Sequence, residues 1–267
     1  EALVEEIGEQ NVLYSKGCEV SGEDKSLFAE AVSKASMADI ILLALGESPE
    51  MTGEAASRSE IDIPGVQPEL LKELERLNKP IVVLLFNGRP LVLSNEIALC
   101  DAMLDVWFPG TEGAHAIMDI IYGRYNPSGK LTVSFPRNVG QIPVFYNHKN
   151  TGRPFDKNEK YTSKYLDVEN SPLFPFGFGL SYTSFVYSDL RLSTSIIKMD
   201  ESLEASIRIK NTGKYAGEEI VQLFVRDMVA TTTRPVKELK GFKKVFLKTG
   251  ESTTISFSVR PDQLFYL

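Results

Sequence analysis

The chain has 267 residues, 43% hydrophobic and 24% charged, with 36 acidic side chains against 29 basic ones and a formal charge of −7. Such a composition belongs to folded globular chains, and the length suggests two domains at about 150 residues each. The acidic balance argues against bulk attraction to nucleic acid or anionic membrane. Apolar runs of about six residues fall short of the roughly 20 that a membrane-spanning helix needs.

The chain opens on EALVEEIGEQ, with neither a basic start nor an apolar signal core, so no export signal is read here. Residues 11–16 read as a strand. Residues 24–37 place Leu27, Phe28, Ala31, Val32 and Ala35 at helical spacing. A continuous apolar strand follows over 39–45, then a second helix over 66–77 with Leu70, Leu71, Leu74 and Leu77 on one stripe. Next come a strand over 81–86, a shorter helical piece after Pro90, a strand over 102–108 and a helix over 112–122. Strands apolar on both faces, alternating with helices, predict a mainly parallel sheet covered by helices.

Residues 137–185 change character. Prolines recur with glycine, asparagine and aromatics, and no period persists; the stretch is too rich in Tyr and Phe for a disordered linker and is expected to pack across the surface between domains. From about Phe185 the period becomes 2. Leu203, Ala205, Ile207 and Ile209 alternate with polar residues, a turn falls at Asn211-Thr212-Gly213, and strands follow over 219–226, 236–247 and 252–259. This predicts an antiparallel β-sandwich, which the final Phe265-Tyr266-Leu267 cuts short in its last strands. Neither end reads as a natural terminus.

Ligands of an open α/β sheet sit at the carboxyl ends of its strands. The loop after the 39–45 strand, GESPEMTGEAASRSEIDIP, has nineteen residues and carries Glu47, Glu50, Glu54, Arg58, Glu60 and Asp62, where 2–6 residues are common. Within it Glu54 is flanked by Gly53, Ala55, Ala56 and Ser57, small neighbours that let a carboxylate approach a bulky ligand. Glu47, nearer the strand end, suits capping of backbone amides; Arg58 suits pairing with Glu60 or Asp62, or contact with a ligand. The Asn87-Gly88-Arg89-Pro90 loop reads as a tight turn. The glycines of the 107–113 loop could cradle a phosphate on helical N–H groups, yet no phosphate-loop motif is present. His148 lies in an aromatic-flanked loop and is a further contact candidate, whereas His115 sits inside a helix. Two histidines supply neither a metal cluster nor a Ser-His-Asp triad. Cys18 and Cys100 read as two thiols, with a disulfide as the alternative. From the residues alone, the chain is an α/β ligand site joined to a β-sandwich. Glycosidic cleavage normally needs two carboxylates, and no second member stands near Glu54.

Five ordered segments resemble glycoside hydrolase family 3, and within it the bacterial periplasmic β-glucosidase branch: GESPEMTGEAASRSEIDIPGVQPELL, KPIVVLLFNGRPL, VWFPGTEGAHAIMDIIYGRYNPSGKLTVSFP, IPVFYNHKNTGRP and FPFGFGLSYTSF. The resemblance implies that residues 1–185 form the family's second, α/β-sandwich domain, with 137–185 as an irregular connection. Residues 186–267 would form a fibronectin type III-like domain truncated at its C-terminus. A preceding (β/α)-barrel domain, which bears the nucleophilic aspartate, is missing. The implied activity is that of a retaining exo-acting β-glycosidase acting on a β-glucoside or gluco-oligosaccharide, without cofactor or metal. Gly53-Glu54-Ala55-Ala56-Ser57-Arg58 matches the segment carrying the family's acid/base, so Glu54 inherits that role, with Glu47 and Glu50 in reserve. Glu47, Arg58 and His148 are candidates for substrate contact. The resemblance further implies a periplasmic or secreted enzyme, a chain inactive without the barrel, and self-association through the face where a barrel would dock. β-Xylosidase activity is the near alternative; a non-catalytic carbohydrate-binding module and a flavodoxin-like nucleotide binder are the others.

Overall fold

The computed structural model describes residues 1–265. It forms two compact units. The first comprises Glu1–Tyr122, Phe135–Pro143 and Ser171–Leu173; the second comprises Gly123–Ser134, Val144–Asn170 and the chain from Phe174 onward.

The first unit is built on three parallel strands, β1 (Ile41–Gly46), β2 (Ile81–Phe86) and β3 (Ala102–Asp105), in the order β1-β2-β3. Each strand is apolar throughout because both sheet faces are covered. Ile81, Val83 and Leu85 point to one face and are buried, as are Leu70, Leu71 and Leu74 of α3 (Gln67–Glu75), a helix that packs on β1 and on α2 (Phe28–Met37). Leu42, Leu84, Phe86 and Leu104 point to the other and pack against Ala2 of α1 (Ala2–Ile7) and Ile117 and Met118 of α4 (Gly113–Ile121). Each fully buried Leu or Ile contributes roughly 1.5–3 kcal/mol, so the helices hold the strand ends in place.

Four segments differ from the sequence reading. Residues 11–16 are not a strand: Glu9–Asn11 is a 3-10 turn, and the chain beyond it is extended without a ladder partner, Tyr14 O being held by Lys34 Nζ. The helical piece after Pro90 shrinks to a 3-10 turn at Glu96–Ala98. Leu91 and Leu93 are buried, and Val92 N–H donates to Ile61 O (2.9 Å), which keeps that stretch extended. The third strand ends at Asp105, because Trp107 takes a left-handed φ of 51° and turns the chain away. Helix α1 has no counterpart in the sequence reading. Cys18 and Cys100 are free, half-buried thiols.

The second unit is an antiparallel sandwich of β4 (Phe185–Leu192), β5 (Leu203–Asn211) and β8 (Ser252–Val259) in one sheet, with β6 (Gly217–Val225) and β7 (Glu238–Leu247) in the other. Ile209, Val221, Leu247 and Phe257 form its core, with Phe185, Ile207, Leu223, Val245 and Ile255 around them. β4 carries one extra residue between Ser188 and Arg191 relative to β5, and Asp189 there has φ 56°. The turn after β5 is set by Asn211, fully buried with every polar atom engaged. Its Oδ1 accepts from Thr183 Oγ1 (2.7 Å) and Gly213 N–H (3.1 Å); its Nδ2 donates to Tyr215 O and Leu247 O. Part of the irregular connection is ordered within this unit by Tyr146 and Phe176, whose rings pack with Phe224 of β6, and a Lys130–Glu219 ion pair at 3.1 Å joins two largely buried side chains of the same unit. Residues 261–264 form a 3-10 turn; Tyr266 and Leu267, which the sequence reading counts into the last strands, lie outside the described residues.

Candidate functional site

β1 ends on a glycine for a physical reason. Gly46 has φ 139°, and a Cβ there would stand 1.7 Å from Phe86 O, so no other residue fits beside β2. Buried Gln67, at the first turn of α3, grips both sides of this peptide. Its Oε1 accepts from Gly46 N–H (2.8 Å), and its Nε2 donates to Gly46 O (2.9 Å) and Pro64 O (3.0 Å). The two ends of the long loop are thereby tied to one side chain. A second tie is the pairing of Asp62 with Val92, flanked by buried Ile61 and Ile63.

Glu47 follows Gly46 and turns inward; its side chain is fully buried. Oε1 lies 2.8 Å from Arg58 Nη1 and 3.0 Å from Arg89 Nε, while Oε2 accepts the Gly88 N–H at 3.2 Å. A buried carboxylate is tolerated only with such a partner set. Arg58 also donates from Nη2 to Asp62 O (3.1 Å). Arg89 Nη2 donates to two carbonyls of the loop, Met51 O and Ala56 O, the latter at 2.7 Å. The loop lies so close to the next one that a Cβ on Gly88 would meet Thr52 Oγ1 at 2.1 Å.

Glu54 stands at the tip between the two carbonyls that Arg89 holds. Gly53 and Ala55 on either side are left-handed, with φ 98° and 57°, and Ala56 N–H closes the turn on Gly53 O. The left-handed form costs an alanine roughly 1–2 kcal/mol. The Glu54 side chain is exposed and makes no hydrogen bond or ion pair with another described residue. The structure thus presents an unengaged carboxylate at the carboxyl end of a parallel strand, on a strained tip whose base is tied down. Such a group can donate or accept a proton, or hydrogen-bond a polyol.

The other sequence candidates fall elsewhere. Glu50 is exposed, and the hydroxyl of Ser48 holds its carboxyl below the usual range. Arg58 is paired with the Glu47 carboxylate and the Asp62 carbonyl. His148 is exposed and belongs to the second unit, where its carbonyl accepts the Val236 N–H and its ring Nδ1 lies 3.2 Å from Lys149 O. His115 faces Glu5 and Glu112 on the surface. Arg89 was missed by the sequence reading, because a partner set of carbonyls thirty and more positions away leaves no local signal. Among the described residues no cluster of His, Cys, Asp or Glu side chains is placed to hold a metal ion, and no helix is long and apolar enough to cross a membrane.

The family described as glycosyl hydrolase family 3 C-terminal domain matches residues 1–182, and a fibronectin type III-like domain matches residues 219–267. The chain belongs to glycoside hydrolase family 3. It is 48% identical over 250 residues to a periplasmic beta-glucosidase of Salmonella typhimurium, covering 92% of this chain and 33% of that protein. It is 40% identical over 265 residues to a beta-xylosidase of Formosa agariphila, covering 99% and 36%. Among solved structures, the beta-glucosidase of Listeria innocua in complex with isofagomine superposes with a TM-score of 0.87 at 42% identity, over 91% of this chain and 34% of that one. A b-glucosidase of Erythrobacter marinus gives 0.90 at 35% identity, over 99% and 38%. The chain therefore spans about a third of the length of these relatives.

Proposed function

We propose that this chain supplies the acid/base half of a retaining, exo-acting β-glycosidase, with Glu54 as the acid/base and terminal β-linked glucose as the substrate. The observation that carries the reading is the unengaged Glu54 carboxylate on a loop whose base is held by buried ion pairs. In the first step protonated Glu54 donates to the glycosidic oxygen while a carboxylate from a preceding barrel domain attacks the anomeric carbon. The leaving alcohol departs, and a covalent glycosyl-enzyme remains. In the second step ionised Glu54 takes a proton from water, which releases the sugar and frees the nucleophile. Because the nucleophile lies on another domain, the chain by itself is expected to be inactive. The 40% identical beta-xylosidase, aligned over nearly all of the chain, keeps a β-xyloside as the competing substrate. The printed name of the Salmonella relative supports a periplasmic location.

The test is hydrolysis of an aryl β-glucoside and an aryl β-xyloside by the protein carrying both this chain and the barrel, wild type against Glu54→Ala. General acid–base catalysis contributes about 10²–10⁴-fold. A loss of that size, with activity restored by azide as a glycosyl azide forms, supports the assignment. Unchanged turnover in Glu54→Ala overturns it. Sugar binding by this chain alone without turnover in the whole protein would favour a carbohydrate-binding module.

A further inference from the structure

Arg89 is placed unlike any other cation of the first unit. It leaves the turn after β2, three residues past Phe86, and its side chain is four-fifths buried. One edge meets Glu47 through Nε, 3.0 Å from Oε1, as an ionic contact without hydrogen-bond alignment. The opposite end, Nη2, donates to the carbonyls of Met51 and Ala56, which bracket Glu54 in the chain. Charge neutralisation alone does not explain this position. Arg58 already lies 2.8 Å from Glu47 Oε1, and the Gly88 N–H serves Oε2. What Arg89 alone does is draw two points of the loop, five residues apart, onto one nitrogen, closing the tip on which Glu54 sits.

We propose that Arg89 is the positioning residue of the Glu54 loop, with buried Glu47 fixing the orientation of its guanidinium; this rests on the reading of Glu54 as the acid/base. The role demands arginine. A planar fork reaches a carboxylate with one edge and two carbonyls with another, whereas an ammonium offers one compact point of charge. Without the clamp, left-handed Gly53 and Ala55 have no counterweight holding them, and the tip relaxes. Loss of proton-donor alignment by about 1 Å costs on the order of 10²-fold in rate.

The experiment compares Arg89→Lys, Arg58→Lys and Glu54→Gln in the barrel-containing protein on two glucosides, one with phenol and one with 2,4-dinitrophenol as leaving group, with rates normalised to titrated active sites. Phenol needs protonation as it departs; dinitrophenol does not. In kcat/KM, which reports only the steps up to departure of the phenol, a positioning defect therefore slows the phenyl substrate selectively, whereas partial unfolding slows both alike. The second step, in which Glu54 takes a proton from water whatever the leaving group, enters kcat but not kcat/KM. The expected result is that Arg89→Lys lowers kcat/KM for the phenyl glucoside about 10²-fold, with the dinitrophenyl kcat/KM within about threefold, and that Arg58→Lys has a smaller effect. Equal losses on both substrates, or no loss, overturn the proposal. Glu54→Gln separates the two readings. If it shows the same selectivity and Arg89→Lys does not, the positioning role fails alone; if it shows none, the acid/base assignment fails. Should Arg89→Lys not accumulate as folded protein, Arg89→Gln with Glu47→Gln removes both charges together and is read on the same pair.

Discussion

Two carboxylates stand at carboxyl ends of the same parallel sheet and meet opposite fates. Glu47, after β1, is fully buried and has two guanidiniums and a backbone N–H around it. Asp105, closing β3, is also largely withdrawn from water. Its Oδ1 receives only a long 3.4 Å contact from the Trp107 N–H, and its Oδ2 finds no hydrogen-bond partner among the described residues. Burial pushes its carboxyl up to about 6. Burial is common to both; the partner set decides whether a carboxylate fastens a loop or strains the strand end that bears it.

The comparison breaks most visibly at Glu47. Glu47→Ala leaves two largely buried guanidiniums facing each other without their shared anion, and removing one member of a buried ion pair costs about 3–5 kcal/mol. Chemical denaturation of the chain should show a loss of that size; a loss below about 1 kcal/mol would mean that the loop tolerates the unpaired charges. Asp105→Asn should act in the other direction. The folded carboxyl titrates near 6 and an unfolded one near 3.9, so between those values the native chain holds a proton that the unfolded chain has released. Stability therefore falls as pH rises through this window and stays lowered above it. Asparagine removes the fall: at pH 7.5 the variant should be the more stable by about 1 kcal/mol once partial solvation is allowed for, and at pH 3.5 the two should coincide. Denaturation midpoints at both pH values check the sign. The smallest effect belongs to a half-exposed surface pair. Glu30 and Lys34, 2.6 Å apart and one turn apart on α2, should contribute about 0.3–0.5 kcal/mol, and Glu30→Gln should shift the midpoint no further.

Regular elements were legible because their periods follow from which face is covered. The all-apolar runs of β1 and β2 gave a parallel sheet, and the alternation Leu203, Ala205, Ile207, Ile209 gave a half-buried antiparallel strand. Residues 11–16 failed because an extended chain becomes a strand only with a ladder partner, and partners are not local. The stretch after Pro90 failed for the mirror-image reason: Val92 pairs with the distant loop residues 61–62 and stays extended against its helical composition. At the candidate site, the long acidic loop and small-residue-flanked Glu54 could be read directly. The division of labour inside the loop could not. Glu47 looks like any other loop acid until the fold turns it inward, and Arg89 looks like part of a turn until the carbonyls of Met51 and Ala56 arrive beside it.

The single extra residue in β4 has a consequence for the second unit's behaviour in a crowded solution. Among the described residues β4 ends its sheet, and Val186, Leu190 and Leu192 on it are exposed; a flat strand in that place would template pairing with a second molecule. The bulge around Asp189 twists that edge and breaks the even run of free N–H and C=O groups, so an incoming strand finds no continuous ladder to extend. An irregularity of register at that position is expected to disfavour edge-to-edge pairing of this unit, which sedimentation of the isolated unit at high concentration would check.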